Sequence, residues 1–493
     1  MRFRTELVRL TAAALAGAAA GCVSPPDRTG DRPLPLPPTL SAEKRTADGR
    51  LKPPAAQPSG VVPAGAAAPA PAPPPTPDVF GPEEAVRFAL QNNPMLQAVR
   101  EQRGFAQGGV VIARTYPYNP VGQFVFSGVT GDGVTNQLPQ AHKITIDVEL
   151  RGQRHFRQQA AYAALTRTEW EIATQEVAAS VAANRAFNAV LYRQRKSEVL
   201  EDTVAYNEGV IDNVKKLVDL GRLRTGDLIL ARTELDAARA QMGQGRAALA
   251  VARADLRRQF GTFDDAFAVK GDLDLPLPAA DFEVYSAAAV DKRPDLQARK
   301  IAVAEAQARL RLQEADRYGN LNVGPVYDYN ESRNSFFGVQ VGGPIPVFNR
   351  RRGEILQAQA TLARARADVR QFEIQSVQDV QAALARLAAA RKWADSYTAE
   401  VLPNLRKAVA DTNKLFEQND PGVDVLKVIG VQRNYLRAFD AYLDALFEVS
   451  QARADLAAAV GDPALALGLY APAKPAPLPP PMPVPVPPKK DQP

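Results

Sequence analysis

The sequence predicts a mainly α fold with a small β part, built as two copies of one unit. Three observations carry that reading: an internal repeat at an offset of 200 residues, an apolar seam of coiled-coil spacing in both copies, and two pairs of short alternating strands.

The repeat is anchored at both ends. "NNPMLQA" (92–98) returns as "KRPDLQA" (292–298), aligning Pro94 with Pro294 and Leu96 with Leu296, and "ARADLRRQFG" (252–261) returns as "ARADLAAAVG" (452–461). Between these anchors Leu228, Ala231, Leu235, Ala238, Met242, Gly245, Leu249, Ala252 and Leu256 follow a 3-4 spacing. Val428, Val431, Tyr435, Ala438, Tyr442, Ala445, Val449, Ala452 and Leu456 match them position by position. Such a seam is that of helices that coil around neighbours.

Each copy has the same order of elements. A helix of about 30 residues (83–116; 286–318) precedes two strands, then a very long helical stretch (152–219; 352–418), a turn, and a returning helix (226–260; 424–461). At 1.5 Å per residue the long stretch spans about 100 Å, more than a small globular domain can hold. In "KITIDVEL" (143–150), Ile144, Ile146, Val148 and Leu150 face one way and Thr145, Asp147 and Glu149 the other. "NLNVGPVYDYN" (320–330) sets Leu321, Val323, Pro325, Tyr327 and Tyr329 against a more polar face, and "VGQFVFSG" (121–128) and "FGVQVGG" (337–343) are weaker versions. One such strand would equally suit a half-buried soluble sheet. Four, in repeat-related pairs on an exported chain, suit a transmembrane β-barrel with its apolar face outward. Four strands cannot close a barrel around water, and an open sheet edge is forbidden in lipid, so other copies of the chain must complete it.

The rest of the chain frames this core. A hydrophobic fraction of 46 % and a charged fraction of 23 % allow a large folded body. Residues 1–21 read as an export signal, a basic start followed by an apolar run too short to span a membrane. Cys22, the only cysteine, follows Ala20-Gly21 as in a lipoprotein box, although Ala19 stands where that box prefers Leu. Its readings are lipidation, or ordinary signal cleavage beside an incidental thiol. Residues 22–80 form a Pro/Ala-rich tether, 81–270 and 271–470 the two repeats, and 471–493 a Pro-rich tail in which 11 of residues 472–493 are Pro. The net charge of +6 does not point to nucleic acid, because basic and acidic residues alternate along helices, as in "RKIAVAEAQARLRLQEADR" (299–317).

With "NNPML" and "KRPDL", "ELRGQRHFRQQAA" (149–161) and "PIPVFNRRRGEILQAQA" (344–360), the chain resembles the outer-membrane factor family, the TolC-like exit ducts of bacterial tripartite efflux and type I secretion systems. The resemblance covers residues 80–470 and is nearest the CzcC-like heavy-metal branch. It implies a homotrimer in the outer membrane, each chain giving four strands to a 12-stranded β-barrel that is continuous with a long coiled-coil periplasmic α-barrel. It also implies a periplasmic adaptor and a proton-driven inner-membrane pump as partners, outer-membrane lipid around the barrel, and heavy-metal cations as cargo. Gly152 and Gly353 would permit the bend from strand to helix. Arg151, Arg154, Arg157, Arg350, Arg351 and Arg352 at these corners read either as contacts to lipid phosphates or as ordinary helix-start solubility.

At the opposite end the resemblance marks two turns. Gly221, Arg222, Leu223, Pro421 and Gly422 would meet the adaptor; Arg224, Asp227, Asp420, Asp424 and Lys427 would form the constriction. Lys427 departs from the family pattern, standing where Asp227 predicts an acid. The alternative role for the acids is helix capping, for which Asp424 is well placed. No nucleophile elbow, phosphate loop or metal-ligand cluster is present, and His142 and His155 are the only histidines. No enzyme activity, cofactor or resident metal is expected. The competing reading is a periplasmic coiled-coil adaptor or spacer lipoprotein, which would have a single hairpin or no strand pairs.

Overall fold

The computed structural model describes residues 78–467, apart from 128–138, 222, 276–280, 331, 419–421 and 424. The first repeat opens with β1 (Val79–Phe80) and three short helices, α1 (Pro82–Asn92), α2 (Pro94–Arg100) and α3 (Gln102–Arg114). The single helix expected over 83–116 is broken because Pro94 has no N–H to continue the ladder. The Asn93 side chain accepts from the Met95 and Leu96 amides and starts a new helix there. Strands β2 (Val121–Phe126) and β3 (Gln140–Val148) follow, then α4 (Gln153–Asp219) and α5 (Thr225–Phe260). At 67 residues α4 is about 100 Å long, as the sequence predicts.

A short β4 (Ala268–Val269) leads to the second repeat. Here α6 (Phe282–Lys292) and α7 (Pro294–Ala315) are divided at Pro294, so the expected helix over 286–318 is also two. Strands β5 (Leu321–Tyr329) and β6 (Ser335–Gly342) precede α8 (Arg352–Ser396), α9 (Leu402–Glu417) and α10 (Val425–Val460). A π-turn, Tyr397–Val401, separates α8 from α9. Its cause is Pro403, which can donate no amide back along the helix and would clash with the preceding turn. The inward-facing positions shift with it. They are Val204, Asn207, Ile211 and Val214 in α4, but Leu405, Ala408, Thr412 and Phe416 in α9, one or two places later in repeat register.

Strands β2, β3, β5 and β6 form one antiparallel sheet in that order. The register aligns Phe124, His142, Tyr327 and Phe337 across all four strands. Ile144, Ile146, Val323, Val339 and Val341 share their face, while Lys143, Thr145, Asp147, Asn322, Asp328 and Gln340 lie on the other. The alternation read from the sequence is thus a sheet with one apolar face and one that is more polar, although Val121, Val125, Val326 and Phe336 also lie on it. Strands β2 and β6 are its edges. Between β3 and β5 the backbones approach closely at Gly324, where an added Cβ would lie 1.9 Å from the Ile144 carbonyl oxygen.

The main core lies along the middle of the long helices, where the two repeats meet. β1 and β4 pair in parallel, an element the sequence did not predict, and bring Phe80 onto Phe260, Phe88 and Phe267. Phe187, Val190 and Leu256 of the first hairpin and Leu443, Val449 and Leu456 of the second join the same cluster. Every residue of the two predicted seams is buried or half-buried. Among the described residues no helix is long and apolar enough to cross a membrane.

Replacing Gly324 by Ala overpacks the β3–β5 contact and should cost about 1–3 kcal/mol. The expected result is a lower unfolding midpoint of the detergent-extracted protein; Gly338→Ala, whose added Cβ meets nothing within 4 Å, is the control and should leave the midpoint unchanged.

Candidate conduit: the strand-to-helix corner and the hairpin tip

At the first corner four residues, 149–152, join β3 to α4. Gly152 takes a left-handed conformation (φ 73°) at the helix N-cap, the backbone freedom its identity predicts. The second corner differs. Nine residues, 343–351, separate β6 from α8, and the left-handed residue is Arg351 (φ 50°), not Gly353, which lies inside the helix. Asn349 accepts the Arg351 amide at 2.9 Å, and the Arg351 guanidinium reaches Asp316 at 3.3 Å, holding that conformation in place of a glycine.

Most of the corner arginines are engaged within the chain. Arg157 pairs with Glu149 at 2.6 Å, Arg151 stacks on the Tyr318 ring at 3.8 Å, and Arg154 donates to the Arg114 carbonyl. Gln153, almost wholly buried, bonds the Arg151 amide and Asn320, while Asn322 donates to Asp147. Burial lifts the Asp316 carboxyl above its usual range, Arg351 opposes the shift, and Glu149 adds to it. Neither reading offered by the sequence anticipates this role: the arginines fasten strand to helix and one repeat to the other.

Halfway along α4 a second set of contacts ties the hairpins together. Arg185 and Arg386 both pair with Asp455, and Arg386 also pairs with Glu448. Lys196 reaches Asp440 at 2.8 Å and Tyr192 at 3.1 Å, and Tyr192 bonds Asp444. Burial acts against the Lys196 charge, but the hydrogen bonds and charges of Asp440 and Tyr192 outweigh it and raise its pKa. Toward the turns the ties between hairpins are weaker, Tyr206 to Asn413 at 3.4 Å and Arg433 to Glu234 at 4.0 Å, while a small cluster of Val204, Leu235 and Ala238 packs within the first hairpin. The turn end is therefore the part of each hairpin most easily displaced.

In the first turn Gly221 is left-handed (φ 74°) just past the end of α4, its amide bonding the Val218 carbonyl, and the Leu223 amide bonds Leu217. Leu223 is half-buried and Arg224 exposed. The Asp227 carboxylate accepts the Arg224 amide at 3.1 Å and so caps α5. In the second turn Lys427 donates to the Gly422 carbonyl at 3.2 Å. An ammonium cannot accept an amide, so Lys427 cannot play the part that Asp227 plays in the first turn. Cys22, Arg222, Asp420, Pro421 and Asp424 lie outside the described residues. The structure therefore brings Gly221, Leu223, Arg224 and Asp227 into one turn and Gly422 and Lys427 into the other.

His142 sits on the apolar sheet face between Phe124, Phe126 and the stacked Tyr327 ring, and His155 lies beside Phe156 on α4. Among the described residues no group of three or more His, Cys, Asp or Glu could hold a metal ion. A cleft of about 690 Å³ between α4, α7 and α8 is lined by Arg167, Glu171, Arg299, Glu305 and Arg309. Its charges pair with one another, Arg167 with Glu171 and Glu305, and Arg309 with Glu305.

The family model described as outer membrane efflux protein matches residues 286–462, the second repeat. The cobalt-zinc-cadmium resistance protein CzcC of Cupriavidus metallidurans is 24 % identical over 381 residues, covering 75 % of this chain and 87 % of that protein. Among solved structures, CusC superposes with a TM-score of 0.65 at 16 % identity, covering 77 % of this chain and 92 % of its own. The open state of the MtrE outer membrane channel of Neisseria gonorrhoeae gives a TM-score of 0.62 at 16 % identity, covering 79 % and 89 %. The fold is that of the outer-membrane factors, and the resemblance to their CzcC-like branch is borne out by these similarities.

Removing the cap in Asp227→Ala should cost about 1 kcal/mol at the start of α5, read as roughly fivefold faster amide exchange in its first turn, with Asp227→Asn losing less. Lys196→Met should weaken the tie between hairpins by about 1 kcal/mol and lower the unfolding midpoint. Because its folded pKa is raised, Lys196 contributes in full below the ordinary lysine value of about 10.4 and loses its contribution only as pH rises through the folded value. The loss on Lys196→Met should thus be the same at about pH 6 and about pH 9.

Proposed function

We propose that this chain is the outer-membrane exit duct of a tripartite efflux system, conducting substrates passively after an inner-membrane pump and a periplasmic adaptor deliver them. The observation that carries the proposal is the four-stranded, two-faced sheet with open edges at β2 and β6, joined directly to paired helical hairpins. In hydrocarbon each unpaired edge group costs several kcal/mol, so the sheet must close on further copies of itself. Three copies of four strands make a 12-stranded barrel in the outer membrane, polar face inward, with the hairpins as the wall of the periplasmic tunnel.

Heavy-metal cations are the cargo, an assignment supported by the relative CzcC, whose name is that of a cobalt-zinc-cadmium resistance protein. A duct needs no resident metal site; weak, repeated contacts favour passage over capture. The adaptor docks on the two turns, through Gly221, Arg222, Leu223, Pro421 and Gly422, and the constriction is set by Arg224, Asp227, Asp420, Asp424 and Lys427. Residues 1–21 are a removed signal, Cys22 carries the lipid anchor, 22–80 and 471–493 are tethers, and 81–270 and 271–470 are the two repeats. A proton-driven pump supplies the transport energy.

Planar-bilayer conductance of the purified full chain tests this. Small, cation-preferring currents are expected, growing or losing selectivity in Asp420→Ala and Asp424→Ala. A chain that stays soluble and monomeric without detergent would refute the barrel, and unchanged metal tolerance after deletion, in cells without a redundant duct, would refute the efflux role.

A further inference from the structure

The two repeats are not equally covered. On α7 the stripe Ala298, Ile301, Glu305 and Ala308 is buried, each at 7 % exposure or less. It packs against α4 of the first repeat, and Arg167 meets Glu305 there at 2.8 Å. The repeat-related stripe, Ala98, Glu101, Phe105, Gly108 and Ile112, has the same 3-4 spacing and is exposed, Phe105 at 86 % and Ile112 at 73 %. An added Cβ at Gly108 meets nothing within 4 Å.

The opposing surface is bare as well. Ala160 and Ala163 of α4 are buried, whereas their counterparts Ala360 and Ala363 on α8 are exposed. They belong to a 3-4 stripe with Leu356, Ala367 and Ile374, the first and last more than 60 % exposed. Two unpartnered coiled-coil faces on one chain, each the repeat-mate of a face that is partnered within it, define a head-to-tail contact between copies. An arrangement that already joins α4 to α7 needs no new geometry to join α8 to the next α2–α3.

We infer that α8 of one copy packs on α2–α3 of the next in the manner of the α4–α7 contact, and that this seam is apolar where its counterpart within the chain is ionic. The inference rests on the homotrimer reading above. Repeat register puts Ala367 where Arg167 stands and Phe105 where Glu305 stands, so the large Phe105 ring seats against a small residue. The difference keeps the two contacts from exchanging. Against α8, Glu305 would bury a carboxylate with no Arg167 to meet it, and against α4, Phe105 would leave Arg167 without that carboxylate.

The test is cross-linking of the detergent-extracted full chain carrying Phe105→Cys and Ala367→Cys together, with each single variant controlling for bonds made by Cys22. Oxidation should yield disulfide-linked dimers and trimers only in the double variant. Phe105→Glu alone should lower the trimer fraction at least about tenfold with helix content unchanged, since Phe105 is exposed in the single chain, and adding Ala367→Arg should restore it. Trimer-sized particles without cross-links, and unaffected by Phe105→Glu, would overturn the seam while leaving the trimer intact. A monomeric wild-type chain would instead remove the trimer reading, and the seam with it.

Discussion

Backbone amides and carbonyls cannot be left without partners in hydrocarbon, and the proposed closure of the four-stranded sheet on further copies follows from that constraint. The edges β2 and β6 come from the first strand of one repeat and the last of the other. A sheet with this order has its repeat junction in the middle, between β3 and β5, and two complementary ends. The helices obey the same order: the face that is covered at the junction is bare at the ends.

Rigidity is distributed unevenly along this frame. The corner is tied by Gln153, Asn320, Asp147 and Asn322, and the centre by the phenylalanines gathered around the β1–β4 pair. Beyond Lys196 and Asp444 the contacts between the two hairpins thin out toward the turns. The proposed duct would be served by such a gradient, since opening costs least where fewest contacts break.

Much of this is legible in the sequence because it is periodic. The 3-4 seams report buried faces, and every seam residue is buried or half-buried; the two-residue alternation reports the pleat of a sheet whose apolar residues, among them Phe124, Phe337 and Val339, are exposed in the single chain. What escaped has no period. Asn93 and Pro94 end a helix through a single cap, Arg351 replaces a glycine through two side-chain bonds, and β1 and β4 are two residues each, with partners far apart in sequence. The contacts that the corner arginines make within the chain escaped for a related reason: an arginine reads the same in a sequence whether it meets phosphate or Glu149. Of the site, the roles of Gly152, Gly221 and Asp227 could be argued from residue type, and that of Lys427 could not.

The π-turn before Pro403 bears on symmetry. Before it the buried positions Ser376, Val380, Ala383, Leu387 and Ala390 of α8 stand in repeat register with Glu176, Ser180, Ala183, Phe187 and Val190 of α4, so in the proposed trimer this part of the tunnel has nearly sixfold walls. Below it α9 is rotated relative to the matching part of α4, the inward stripe having moved by a residue or two, each residue worth about 100° around the axis. The narrowest part of such a tunnel would retain only true threefold order. A charge contributed there by one repeat appears three times, not six, and its counterpart on the other repeat can be of opposite sign, as Asp227 and Lys427 are.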